Sequence, residues 1–195
     1  MIHGALTVLR AIEREDLDVF WRWHNDPAVM YFWTEPYKVM SRSELNSRYE
    51  NQLSGPGGSS HWLLIAVRED DEDGAGPGLP IGRIGYVEID RRHRHAEIAL
   101  LIGERAYWGR GYGTDAIIAY LGSLFHEVNL HKVYLRVEEY NTRAQRAYEK
   151  CGFRRDGVFR DHTFLGGRYY DSIIMSITED EYRARHPFVP PGSSQ

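Results

Sequence analysis

The sequence predicts an α+β domain, a mixed and mostly antiparallel sheet flanked by helices. Strand-like and helix-like periods alternate along the chain, with no internal repeat and no boundary that would mark a second domain. Past the middle, a glycine-rich turn joins a strand to a helix. Near the end, residues 158–165 and 169–178 read as a closing antiparallel pair linked through Gly166-Gly167. At 195 residues and 42% hydrophobic, the chain suits one domain with a sizeable core.

Residues 6–12 read as the first strand. Leu17, Phe20, Trp21 and His24 then recur at helical spacing, and the helix stops before Pro27. Ser41-Arg42-Ser43-Glu44 has the form of a capping box, followed by a stripe of Leu45, Tyr49 and Leu53. Residues 61–68 and 81–89 read as two strands, and the acidic, glycine-rich residues 70–78 between them as a solvated hairpin loop. Residues 91–94 turn the chain into the strand that carries Glu97. Thr178-Glu179-Asp180-Glu181 can cap a short last helix. The domain is expected to span residues 1–185, and residues 186–195 form a Pro/Gly/Ser tail with little reason to be ordered.

Composition excludes several classes. A net charge of -4 gives no general nucleic-acid footprint. A single cysteine, Cys151, allows no internal disulfide and no cysteine-based zinc site. It lies beside a helix-ending glycine as a packing residue rather than a nucleophile. No metal is expected. The N-terminus lacks a basic-then-apolar signal, and no apolar run approaches membrane-spanning length, so the expectation is a soluble cytoplasmic protein with no membrane partner.

The most informative segment is Trp108-Gly109-Arg110-Gly111-Tyr112-Gly113-Thr114-Asp115-Ala116, between a strand at residues 96–102 and an apolar helix. Alternate glycines let the backbone turn tightly and approach a ligand closely. A helix opening there aims unpaired N–H groups and its positive dipole end into the turn, where Arg110 adds a cation. Phosphate is the matching ligand, although such a turn can also be a tight connection that binds nothing. The nucleoside-triphosphatase triplet is absent, and the glycine spacing does not fit a dinucleotide fold.

A second motif follows the strand at residues 131–137. Asn141 suits an N-cap, Ala144, Ala147 and Tyr148 share a helical face, and Gly152-Phe153 ends the helix. The two motifs in this order resemble the acetyl-CoA-dependent Gcn5-related N-acetyltransferases (GNAT), nearest the ribosomal-protein alanine and spermidine acetyltransferases. The resemblance runs from Leu6 to about Arg185. It implies a single GNAT-like domain whose central strands splay apart around the pantetheine arm of acetyl-CoA. By the same resemblance, Arg110, Gly111, Tyr112, Gly113 and Thr114 bind pyrophosphate, Ile102 lines the arm, Asn141 holds it from the other side, and Arg143 serves the nucleotide end. Trp108 departs from the glutamine or arginine that many members carry there.

The implied reaction is direct attack of a primary amine on the thioester. A lysine-like ammonium is neutral only about one part in a few thousand at pH 7, a cost of about 4–5 kcal/mol, against about 1–1.5 kcal/mol for a peptide α-amine. A base therefore matters most for alkylamines. Glu97, a carboxylate on a central strand, is the candidate base. The alternative is an ion pair with Arg94 or another arginine. Tyr148 alone would read as packing. Within the motif, the resemblance makes it the acid that protonates the leaving thiolate. Phe32-Trp33-Thr34-Glu35-Pro36-Tyr37 resembles the acceptor segment of spermidine acetyltransferases, which makes Trp33, Glu35 and Tyr37 candidate substrate contacts. It reads equally as a hydrophobic lid. The acceptor stays open among a protein N-terminus, a polyamine and an aminoglycoside. A silent acetyl-CoA-sensing module is the non-enzyme alternative, and the resemblance leaves room for a homodimer.

Overall fold

Among the described residues, eight strands form one sheet held between two helical layers. The computed structural model describes residues 1–33, 38–53, 60–68 and 78–187. The strands are β1 (Ile2–His3), β2 (Thr7–Arg10), β3 (His61–Val67), β4 (Pro80–Asp90), β5 (His95–Ile102), β6 (Lys132–Glu138), β7 (Arg154–Leu165) and β8 (Arg168–Thr178). They lie in the order β1-β2-β3-β4-β5-β6-β8-β7. Every neighbouring pair is antiparallel except β5 and β6, which run parallel. The helices are α1 (Leu17–His24), α2 (Pro27–Met30), α3 (Arg42–Leu53), α4 (Tyr112–His126), α5 (Thr142–Cys151) and α6 (Glu179–Arg185). The expected α+β class with a mixed sheet is the observed one.

Alternation along the strands builds two cores. In β3, Ile65 joins one face while Leu64 and Ala66 join the other. The first core combines Ile84, Ala96, Ile98, Val133, Leu135 and Ile177 with Ile117, Leu121, Leu124 and Phe125 of α4. Each of these side chains larger than alanine contributes about 1.5–3 kcal/mol. The second core packs Leu17, Phe20 and Trp23 of α1, Val29 of α2, and Leu45 and Tyr49 of α3 over Leu64 and Leu101. In α1 it is Trp23 that is buried. Trp21 is only half-buried, because its indole reaches back to donate to the Met40 carbonyl at 2.8 Å.

Local chemistry explains most boundaries. Gly152 ends α5 at φ 100°, and the Thr178/Glu181 capping box opens α6. Two elements exceed the sequence expectation. Asp26-Pro27 does not only stop α1: the Asp26 carboxylate accepts from the Ala28 N–H at 2.8 Å and Pro27 starts α2. The two residues of β1 are too few to show a period. Asp115, in the first turn of α4, accepts from the Ala5 and Leu6 N–H groups and the Thr7 hydroxyl, at 2.8, 3.0 and 2.6 Å. It ties the start of the sheet to the start of that helix. The acidic loop, apart from Gly78, and the tail beyond residue 187 lie outside the described residues. Among the described residues, no helix is long and apolar enough to cross a membrane.

Candidate active site

The parallel pair parts early. β5 and β6 are paired only at His95↔Lys132, Ala96↔Val133 and Glu97↔Tyr134. Beyond that rung β5 stays with β4 as far as Gly82↔Ile102, and β6 stays with β8 as far as Glu138↔Ser172. The central strands therefore splay, leaving unpaired backbone on two facing edges. An extended ligand with amide groups can fill such a gap as a strand would. A cavity of about 740 Å³ follows the opening, lined on one side by Glu97 to Ile102 and on the other by Arg136, Val137 and Glu138.

The glycine-rich turn closes one end. Gly109 and Gly111 have φ of 70° and 93°, values that favour glycine, and Gly111 caps α4. The first hydrogen bond of the helix runs from the Asp115 N–H to the Gly111 carbonyl at 2.9 Å. The N–H groups of Tyr112, Gly113 and Thr114 thus precede any intrahelical partner, as a diphosphate site requires. Gly111, Gly113 and Thr114 line the cavity. The side chains of Arg110 and Tyr112 do not: Arg110 lies over the rings of Tyr107 and Tyr112 and donates to the Ala106 carbonyl at 3.3 Å. Ile102 lines the gap, while its carbonyl accepts from the Trp108 indole at 2.7 Å. Trp108 thereby pins the turn to the end of β5 through its side chain.

Helix α5 forms the opposite wall. Asn141 caps it, its side-chain oxygen accepting from the Ala144 N–H at 3.2 Å, so its amide nitrogen is the group left for a ligand. The Arg143 guanidinium stacks 3.9 Å from the Trp108 ring and 5.0 Å from that of Phe32, bridging the wall and the turn. Tyr148 is buried and lines the cavity, and among the described residues its hydroxyl has no hydrogen-bond partner. Burial, reinforced by the neighbouring Cys151, pushes its pKa up to about 12, so the phenol stays protonated. Burial also pushes the Cys151 thiol up to about 12, which makes it a packing residue.

Two carboxylates face the gap. Glu97 is paired as the alternative reading had it, but not with Arg94. Its Oε1 accepts from Nε of Arg136 at 2.7 Å, across the two parallel strands. Arg94, at φ 57°, turns away to the Asn129 carbonyl and Glu179. Sequence reasoning missed Glu138, which is 2% exposed with neither carboxylate oxygen hydrogen-bonded. Burial raises its pKa above the usual carboxylate range, outweighing the opposite pull of nearby Thr163, His162 and Arg136. At a strand end it reads as a solvated acid, and nothing in its own segment shows otherwise.

On the α3 side, Trp33, Trp62, Tyr49 and Arg83 form the remaining wall. Trp33 thus lines the cavity, whereas Glu35 and Tyr37 lie outside the described residues. Elsewhere, Asp90, His93 and His95 in the β4–β5 turn bring possible metal-ligating atoms within 4.8 Å of one another, a cluster the expectation of no metal did not foresee.

The acetyltransferase (GNAT) domain family matches residues 7–154. The chain belongs to the GNAT family. This acetyltransferase is 32% identical over 179 residues to the spermidine N(1)-acetyltransferase of Escherichia coli, covering 91% of this chain and 89% of that one. It is 33% identical to the enzyme of the same name from Vibrio cholerae, covering 91% and 95%. The crystal structure of the Vibrio cholerae spermidine N-acetyltransferase in complex with CoA and spermine superposes with a TM-score of 0.80 at 29% identity, covering 92% of this chain and 99% of that one. This acetyltransferase therefore shares its fold with an enzyme seen in complex with CoA.

Proposed function

We propose that the enzyme moves the acetyl group of acetyl-CoA to the primary amine of a small molecule by direct attack, with no covalent enzyme intermediate. The observation that carries this reading is the gap between β5 and β6, with Tyr148 on one wall and Glu97 and Glu138 beside it. The N–H groups of Tyr112, Gly113 and Thr114 would hold the diphosphate, and the unpaired strand edges the pantetheine arm. Tyr148, kept neutral by burial, gives its proton to the departing thiolate. A carboxylate, directly or through water, takes the proton from the amine. Glu97 is the first candidate, and Glu138, whose oxygens are unpartnered, is the second. Holding amine and thioester together supplies much of the acceleration.

The relatives named for spermidine support a small-molecule acceptor over a protein N-terminus and make polyamines the first class to try. The test is release of free thiol from acetyl-CoA with a panel of spermidine, aminoglycosides, simple alkylamines and N-terminal peptides. Transfer to small amines above peptides is the expected result. Tight acetyl-CoA binding with no thiol release from any amine would leave a sensing module instead.

A further inference from the structure

Arg83 is a cation the mechanism does not use. It lies in β4, is 5% exposed, and lines the cavity. Its Nη1 donates to the Tyr49 hydroxyl, while its Nε is buried with no hydrogen-bond partner. The guanidinium rests against three rings, 4.4 Å from Trp62, 4.9 Å from Trp33 and 5.7 Å from Tyr49. Among the described residues it forms no ion pair with a carboxylate. Ring faces compensate part of a buried positive charge but leave the Nε donor unfilled. A buried cation is normally paired, and a guanidinium fork matches a carboxylate or phosphate.

Its position relates it to the reaction. Arg83 is paired with Leu101, which shares a sheet face with Ala99 and Glu97. Four residues separate Leu101 from Glu97, about 13 Å along the strand. Trp62 pairs with Gly85, two residues nearer to Glu97. A Cβ there would come within 2.9 Å of the indole, so the ring lies across the strand at that rung with the guanidinium leaning on it. An oxyanion on Arg83 and an amine beside Glu97 would thus stand on the order of 10 Å apart.

We infer that Arg83, boxed by Trp33, Trp62 and Tyr49, is an oxyanion subsite, and that the acceptor is a primary amine bearing a carboxylate or phosphate several bonds away. This rests on the acetyltransferase reading above and narrows its substrate class. An α-amino acid carries the two groups too close together. A polyamine would set an ammonium against Arg83. His24, behind the same wall, is held neutral by burial and by the charges of Arg83 and Arg48.

The test compares matched acceptors: aminohexanoate and aminohexyl phosphate, each against hexylamine, with spermidine alongside. The expected kcat/KM of an anionic member is at least about tenfold above that of hexylamine. The carboxylate and phosphate members separate the two sources of the oxyanion. Arg83→Met should raise KM about tenfold for the anionic members alone, and Arg83→Lys, which keeps the charge without the fork, should restore part of the loss. Equal use of hexylamine and its anionic partners, a preference for spermidine, or an effect of Arg83→Met on the KM for acetyl-CoA would each overturn the subsite while leaving amine transfer intact. Failure of every amine to release thiol overturns transfer itself. If Arg83→Met does not fold, the wild-type comparison still decides.

Discussion

Glu97 and Arg136 meet 2.7 Å apart just beyond the last of the three parallel rungs, Glu97↔Tyr134, where the strands begin to splay. The pair can fix the mouth of the gap, and a proton taken by Glu97 would have to weaken it. The two roles separate by experiment. Glu97→Gln should lower kcat/KM by about 10- to 100-fold, less than the full range for a lost general base because Glu138 lies on the same cavity. Arg136 is 40% exposed, so Arg136→Met should change stability by less than about 1 kcal/mol. Unchanged turnover in Glu97→Gln alongside a lower unfolding midpoint would make the pair purely structural.

Tyr148→Phe removes a hydroxyl that has no hydrogen-bond partner among the described residues, so the fold should lose less than about 1 kcal/mol. Turnover should fall by about a hundredfold where chemistry limits the rate. A proton donor must be protonated, and burial sets this phenol to about 12. The kcat–pH profile should therefore show no fall from Tyr148 until the pH nears 12. An alkaline limb below pH 10 that vanishes in Tyr148→Phe would contradict the environment described.

What the sequence disclosed follows from locality. Gly109, Gly111 and Gly152 were legible because positive φ is a property of one residue and its turn. The strands were legible because alternation is written along each one. Arg83 was not: a lone arginine in β4 reads as solvent-facing, and only the convergence of Trp33, Tyr49 and Trp62 from three other segments buries it. For Glu97 the sequence supplied the kind of partner but not its number, because strand order decides that Arg136 of β6, rather than Arg94, comes within reach.

The two inner glycines of the turn should behave differently. At Gly111, φ of 93° is strained for any side chain, so Gly111→Ala should destabilise by about 1–2 kcal/mol. Gly113 lies inside α4 without positive φ, and a Cβ there would meet only Leu100 and Ile102 at 3.5 and 3.7 Å. Gly113→Ala should therefore fold at least as well as the parent, since alanine is the better helix former. If Gly113 is glycine for the ligand's approach, the KM for acetyl-CoA rises in this variant even so. Calorimetry and initial rates on the pair separate the two reasons for glycine.

Glu138 carries the opposite signature to a structural acid. Its carboxyl is raised by burial, so the native state holds that proton more firmly than the unfolded chain does. The stabilisation is present below the ordinary carboxylate pKa and is lost as pH rises through the raised value. At pH 8 the buried charge is a penalty, and Glu138→Gln should raise the unfolding free energy. A simultaneous loss of turnover would identify it as an acid kept for function at the expense of stability. Urea unfolding at pH 8 beside an activity assay reads both, and destabilisation would mean that the carboxylate has a partner in solution.

His24 gives the acid end of the stability profile. It is 2% exposed with its Nδ1 unpartnered, and burial, with Arg83 and Arg48, lowers its pKa from 6.5 to about 3. Below pH 6.5 the unfolded chain takes up a proton that the native state refuses until about pH 3, so stability falls as pH drops through that window. Between pH 6.5 and 4 the loss is about 3 kcal/mol from this residue. His24→Gln should flatten the slope there. Because Arg83 is one source of the depression, Arg83→Met should shallow it as well, which links the stability of the α1 layer to the charge on the cavity wall. A slope that stays the same in both variants would place the acid sensitivity elsewhere.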